Sequence, residues 1–207
     1  MTRVKICGMR RAEDVECAIG ADYLGFVVGS RSPRNLALEE AKELMSITEK
    51  RTVMVTSSAD PMQVIGMANF LEPDVVQAHS PMAKQGLELI SRCFDGDVWG
   101  LIQVGKGGEE GRLEAVRACQ AAILDTAVPS LGGQGLAHDW GVSRRLRDVA
   151  QPLPVILAGG LSPENVQEAI LTVEPFCVDV SSGVESQGSK DPALVLRFID
   201  RAKEADD

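Results

Sequence analysis

Short runs rich in Val, Ile and Leu alternate along this chain with longer stretches whose apolar residues recur every three or four positions. The strand-like runs fall at 3–7, 23–28, 52–56, 74–79, 97–104, 121–125, 154–158 and 177–180. Helical patterning follows near 11–19, 37–49, 61–71, 82–93, 109–118, 139–149, 163–172 and 191–204. Three of these helices carry a start signal, because Asp60-Pro61, Ser162-Pro163-Glu164 and Asp191-Pro192 set a proline at or near the first turn. An open flavodoxin-like sheet needs only about five βα units. Eight units in 207 residues predict an α/β chain folded as a single-domain (β/α)8 TIM barrel over 1–207, with right-handed crossovers throughout.

In a barrel the chemistry belongs at the C-terminal ends of the strands. The polar residues there are Cys7, Gln77, His79, Asp125, Gly159-Gly160 and Ser181-Ser182-Gly183. Side chains alternate along a strand, so Val4 and Ile6 face the helices while Lys5 and Cys7 face the interior. The same rule turns Asp179 and Ser181 inward on the last strand. Strands eight and one are neighbours in a closed barrel, so Lys5 and Asp179 are expected to pair there, since an unpaired interior charge is costly. A nearby ammonium lowers a thiol pKa from about 8.5, which makes Cys7 a candidate base or nucleophile. The other four cysteines lack that context and read as small apolar residues.

Asp125 closes the apolar run Ala-Ala-Ile-Leu and points at the mouth with little solvent around it, as a general acid requires. A turn or capping aspartate is the alternative. Arg34, in Ser30-Arg-Ser-Pro-Arg-Asn35, offers a planar fork for a carboxylate, against the plainer reading of a solvated surface residue. His79 shares an inward face with Gln77 and is as consistent with a polar wall as with a substrate contact.

Composition narrows the partners. Hydrophobic residues make up 44% but aromatics only 4%, which suits an aliphatic barrel interior. The net charge of −9 argues against nucleic acid or an anionic membrane. An acidic protein that binds an anion must aim backbone amides or a few Arg or Lys side chains at it, and the loops after strands seven and eight supply such amides. Gly159, Gly160, Ser182 and Gly183 are therefore candidate phosphate-binding residues. Gly133, in the glycine-rich connection between 126 and 138, is a candidate lid or further phosphate contact. Five cysteines without a C-x-x-C, no signal peptide and no long apolar run predict a cytoplasmic chain with reduced thiols. Only two histidines are present, neither near a cysteine in sequence, so no metal site is expected.

Several segments together resemble the phosphoribosylanthranilate isomerase family of tryptophan biosynthesis. They are Lys5-Ile-Cys-Gly8, Ser32-Pro-Arg34, Val76-Gln-Ala-His79, Leu124-Asp125, Gly132-Gly-Gln-Gly135, Asp139-Trp140, Leu157-Ala-Gly-Gly-Leu161, Val178-Asp-Val-Ser-Ser-Gly-Val-Glu185 and Gly188-Ser-Lys-Asp191. The resemblance implies an Amadori rearrangement of N-(5-phosphoribosyl)anthranilate to 1-(2-carboxyphenylamino)-1-deoxyribulose 5-phosphate, without a cofactor. It implies Cys7 as general base, Asp125 as general acid, Arg34 against the anthranilate carboxylate, and phosphate on the glycine and serine loops. The partner is then a small phosphorylated substrate, and the protein a monomer or homodimer. The chain departs from the usual family pattern at Ala78, Ser80, Gln134 and His138, and lacks an aromatic residue after strand three.

Other barrels fit less well. The histidine-pathway isomerase carries Asp rather than Cys at the end of strand one and shows a half-barrel repeat. Indole-glycerol-phosphate synthase needs a strand-end Lys with a partner Glu, which is missing. A divergent paralogue acting on another phosphoribosyl amine, or a non-catalytic phosphate-binding barrel, is the remaining alternative; a pure binder has no need of both Cys7 and Asp125.

Overall fold

In a computed structural model that describes residues 1–105, 107–126 and 138–205, eight parallel strands close on themselves. They are β1 (Arg3–Cys7), β2 (Tyr23–Val28), β3 (Arg51–Thr56), β4 (Val75–Ala78), β5 (Asp97–Val104), β6 (Ala121–Thr126), β7 (Val155–Leu157) and β8 (Cys177–Val180). Each pairs with its sequence neighbours, and β1 closes the ring by pairing with both β8 and β2. Eight helices follow in turn: α1 (Ala12–Cys17), α2 (Leu38–Ser46), α3 (Pro61–Leu71), α4 (Lys84–Cys93), α5 (Glu109–Val116), α6 (Trp140–Ala150), α7 (Val166–Val173) and α8 (Pro192–Glu204). Among the described residues no helix is long and apolar enough to cross a membrane.

The period-two alternation of the strands sorts their side chains into two separate cores. Val4, Ile6, Leu24, Phe26, Met54, Val76, Leu124 and Val178 pack outward against the helices. Cys7, Tyr23, Val53, Val55, Val75, Trp99, Leu101, Ile123, Ile156 and Cys177 fill the interior. Tyr23 and Trp99 meet edge to face there, with ring centroids 5.0 Å apart. Below them Arg3 and Arg51 both donate to the Tyr23 hydroxyl, at 2.6 and 3.3 Å, and Arg51 pairs with Asp97 at 2.9 Å. The interior is thus filled and polar-sealed at its lower end, which leaves the C-terminal mouth for a ligand.

Capping explains several of the helix starts. Asp60 accepts from the Met62 N–H, Asp139 from Gly141, and Asp191 from Ala193 and Leu194, while Pro61 and Pro192 each open a helix. Ser162-Pro163 behaves otherwise: turns occupy 163–165 and α7 begins only at Val166. The cause is Asn165, whose side chain accepts from the Ser162 N–H and donates to the Gly160 carbonyl, so the segment is spent on shaping the loop. Two further pieces were not expected: Asn35–Leu36 pairs beside β2, and Glu185–Ser186 pairs antiparallel with Ser189–Lys190.

Candidate active site

Lys5 and Cys7 both point into the barrel, as alternation requires. Lys5 is fully buried and its ammonium lies 2.8 Å from Asp179 Oδ2, with the two residues in register across β1 and β8. The expected interior ion pair is present. The expected effect on the thiol is not. Burial pushes the Cys7 thiol up, Lys5 and Lys190 pull it down, Asp179 opposes them, and the net shift is upward. Burial also works against the charge on Lys5, but Asp179 and Cys7 together hold it more firmly protonated than usual. The ammonium therefore compensates part of the desolvation of a thiolate instead of creating a low-pKa thiol.

Arg34 reaches back over the end of β1 from the loop after β2. Its Nε and Nη2 donate to Glu185 Oε1 and Oε2 at 2.7 and 2.5 Å, in a bidentate pair. Lys190 completes the group, donating to Glu185 Oε1 at 2.8 Å and to the Ser181 carbonyl at 3.0 Å. Burial pushes the Glu185 carboxyl up, yet the bonds and charges of Arg34 and Lys190 outweigh it and hold the group at about 2. For Lys190 burial wins over Glu185, and its pKa is lowered.

A depressed carboxylate stabilises the fold above its unfolded pKa of about 4.5 and loses that contribution as pH falls towards the folded value. We expect the stability gap between the wild type and Glu185→Gln, on the order of 2 kcal/mol at neutral pH, to narrow between pH 5 and 2.5 in denaturant titrations. A gap that stays constant across that range contradicts the account.

Asp125 lies near the end of β6 with its side chain about a quarter exposed, so it is wetter than the apolar run before it suggests. Its Oδ2 lies 3.3 Å from His79 Nε2, and His79 Nδ1 lies 3.1 Å from Gln77 Nε2. Gln77 is buried on β4 with its Oε1 unpartnered. An amide nitrogen at Nδ1 selects the imidazole tautomer with its proton on Nε2, aimed at Asp125. His79 thus meets the candidate acid, where the sequence suggested a substrate contact. His138 caps the same corner: its Nδ1 lies 3.0 Å from Thr126 Oγ1, its Nε2 lies 2.5 Å from Ser143 Oγ, and burial lowers its pKa.

The loops after β7 and β8 touch. Gly159 and Gly160 both take positive φ, and Ser182–Val184 forms one 3-10 turn. A Cβ on Gly183 would lie 1.9 Å from the Leu161 carbonyl oxygen, so only glycine lets the two loops close together. Gly183→Ala is expected to cost about 1–3 kcal/mol of stability and to weaken binding of inorganic phosphate, both measurable by thermal unfolding with and without the anion. An alanine variant that matches wild type in both respects contradicts the packing described. Gly133 lies outside the described residues.

The mouth thus gathers Cys7, Asp125, Arg34, His79 and the paired glycine loops. Glu185 and Lys190 join them although neither had been singled out; both stood inside quoted segments, but alternation says nothing about side chains beyond a strand end.

Comparison with known proteins agrees with this geometry. Residues 4–201 match the family of N-(5'-phosphoribosyl)anthranilate (PRA) isomerases. The N-(5'-phosphoribosyl)anthranilate isomerase of Methanothrix thermoacetophila is 41% identical over 209 residues, which is 98% of this chain and 99% of that protein. The crystal structure of phosphoribosyl anthranilate isomerase from Thermotoga maritima superposes with a TM-score of 0.88 at 33% identity, covering 99% of this chain and 100% of that one. A phosphoribosyl anthranilate isomerase solved with reduced 1-(O-carboxyphenylamino)-1-deoxyribulose 5-phosphate gives a TM-score of 0.85 at 32% identity, with the same coverage. With the match running through every strand of the barrel, the chain belongs to the phosphoribosylanthranilate isomerase family.

Proposed function

We propose that this chain carries out the family's Amadori rearrangement, a step of tryptophan biosynthesis, as one catalytic unit of 207 residues in the cytoplasm, monomeric or homodimeric. The observation that carries the reading is the placement of one candidate base and one candidate acid on β1 and β6, three strands apart around the mouth. A sugar bound between them meets each group on a different side.

In this reading Asp125 gives its proton to the furanose ring oxygen. The C1–O bond breaks, the nitrogen lone pair forms the C1=N bond, and the product is an open-chain protonated Schiff base. His79, whose Nε2 lies 3.3 Å from Asp125 Oδ2, faces the carboxylate left behind. Cys7 as thiolate then takes the proton from C2, and the C–H electrons move through C2=C1 to neutralise the iminium nitrogen. The resulting enolamine tautomerises to the ketone, losing the C2 hydroxyl proton and gaining one at C1; release of the thiol proton to solvent and uptake of one by Asp125 reset the base and the acid. Lys5 stands beside the thiolate while it carries charge. Arg34 meets the anthranilate carboxylate, and the amides near Gly159, Gly160, Ser182 and Gly183 hold the phosphate, with Gly133 a further contact.

Loss of substrate fluorescence on incubation with purified protein tests the reaction. Folded wild type that leaves N-(5'-phosphoribosyl)anthranilate unchanged over a range of pH overturns the reading.

A further inference from the structure

The Arg34–Glu185–Lys190 group stands above the barrel, on the segments that follow β2 and β8. A guanidinium has two edges that can pair with a carboxylate, the Nε–Nη2 side and the Nη1–Nη2 end. Glu185 occupies the side. Among the described residues no acceptor pairs with Nη1, which leaves the end edge for a ligand. Glu185 is held in turn by Lys190, buried and bonded to the Ser181 carbonyl at the start of the loop after β8. The stem of Arg34 lies over Gly8, where a Cβ would come within 2.5 Å of its Cδ, so the side chain crosses the end of β1 beside Cys7.

We infer that Glu185, braced by Lys190, is a positioning residue that fixes the guanidinium of Arg34 for the substrate carboxylate, at a set distance from the phosphate loop. The inference rests on the proposed contact between Arg34 and the carboxylate. A free arginine on a loop must give up rotamer freedom when it binds its ligand, and an arginine pinned along one edge has given it up already. The pin also sets the spacing. Ser181 opens the phosphate loop and Arg34 meets the carboxylate, so one chain of three side chains ties together the two anionic ends of the substrate. Lys5, Lys190 and Arg34 set against Asp179 and Glu185 leave one net positive charge around Cys7, which suits a carboxylate arriving next to a thiolate.

The test compares two ligands: reduced 1-(2-carboxyphenylamino)-1-deoxyribulose 5-phosphate and its phenylamino counterpart without the carboxylate. Glu185→Gln, which keeps the side-chain volume, is expected to weaken the first by about ten-fold and the second by less than about two-fold. Glu185→Asp, which keeps the charge but shortens the reach, is expected to show the same selective loss, and serves if the glutamine variant folds poorly. An equal loss for both ligands, or no loss for either, overturns the positioning role, because a merely structural effect does not read the carboxylate. Arg34→Met separates the two levels. If it binds both ligands in the wild-type ratio, the carboxylate contact itself is wrong; if it loses the ratio while both Glu185 variants keep it, only the role of Glu185 fails.

Discussion

Cys7→Ser is expected to reduce kcat by about 10³-fold while leaving binding of the reduced product analogue close to wild type, since general-base catalysis contributes typically about 10²–10⁴. The argument runs through the environment of the side chain. The thiol is buried at the end of β1, and its ionisation is resisted by desolvation and assisted by Lys5. A serine hydroxyl in that place meets the same desolvation from a far higher starting pKa, so the same ammonium cannot bring it within reach of a carbon acid. The change removes one sulfur atom and disturbs little packing, so the loss appears in turnover and not in the unfolding midpoint. Pre-steady-state fluorescence separates binding from chemistry. A variant that turns over at more than about a tenth of the wild-type rate shows that another group takes the C2 proton.

Asp125→Asn is expected to fall by about 10²–10⁴ in kcat, because an amide cannot give a proton to the ring oxygen as the C1–O bond opens. His79 provides the control. It faces the carboxylate and not the ring oxygen in the proposed mechanism, so His79→Asn is expected to cost only about ten-fold, as for loss of one polar contact with a charged group. The order matters more than either figure. Should His79→Asn fall further than Asp125→Asn, the acid is the imidazole, and the pair has been assigned the wrong way round.

Much of this site was legible along the chain because a strand has a period of two. Knowing that Val4 and Ile6 pack against helices is enough to put Lys5 and Cys7 inside, and the same count on β8 brings Asp179 to Lys5. Asp125 was legible as the acidic end of an apolar run, and Gly159-Gly160 as a turn at a position where barrels bind anions. The limits were just as physical. The thiol shift came out opposite in sign because its largest cause is the depth of burial, a quantity that depends on everything packed around Cys7. The start of α7 was misplaced because Asn165 is drawn into the loop by the Gly160 carbonyl, and a proline motif cannot signal that competition.

What the order of residues determined by itself is the barrel, its eight strands, and which side chains face the interior, since these follow from local alternation that every strand repeats. What only the tertiary structure decided is how the loop ends meet. Arg34 and Glu185 are 151 positions apart, and His79 finds Asp125 across β5. No period links such residues. Their contact is set by the closure of the barrel, which brings the far ends of the chain to one rim and lets the charges there pair across it.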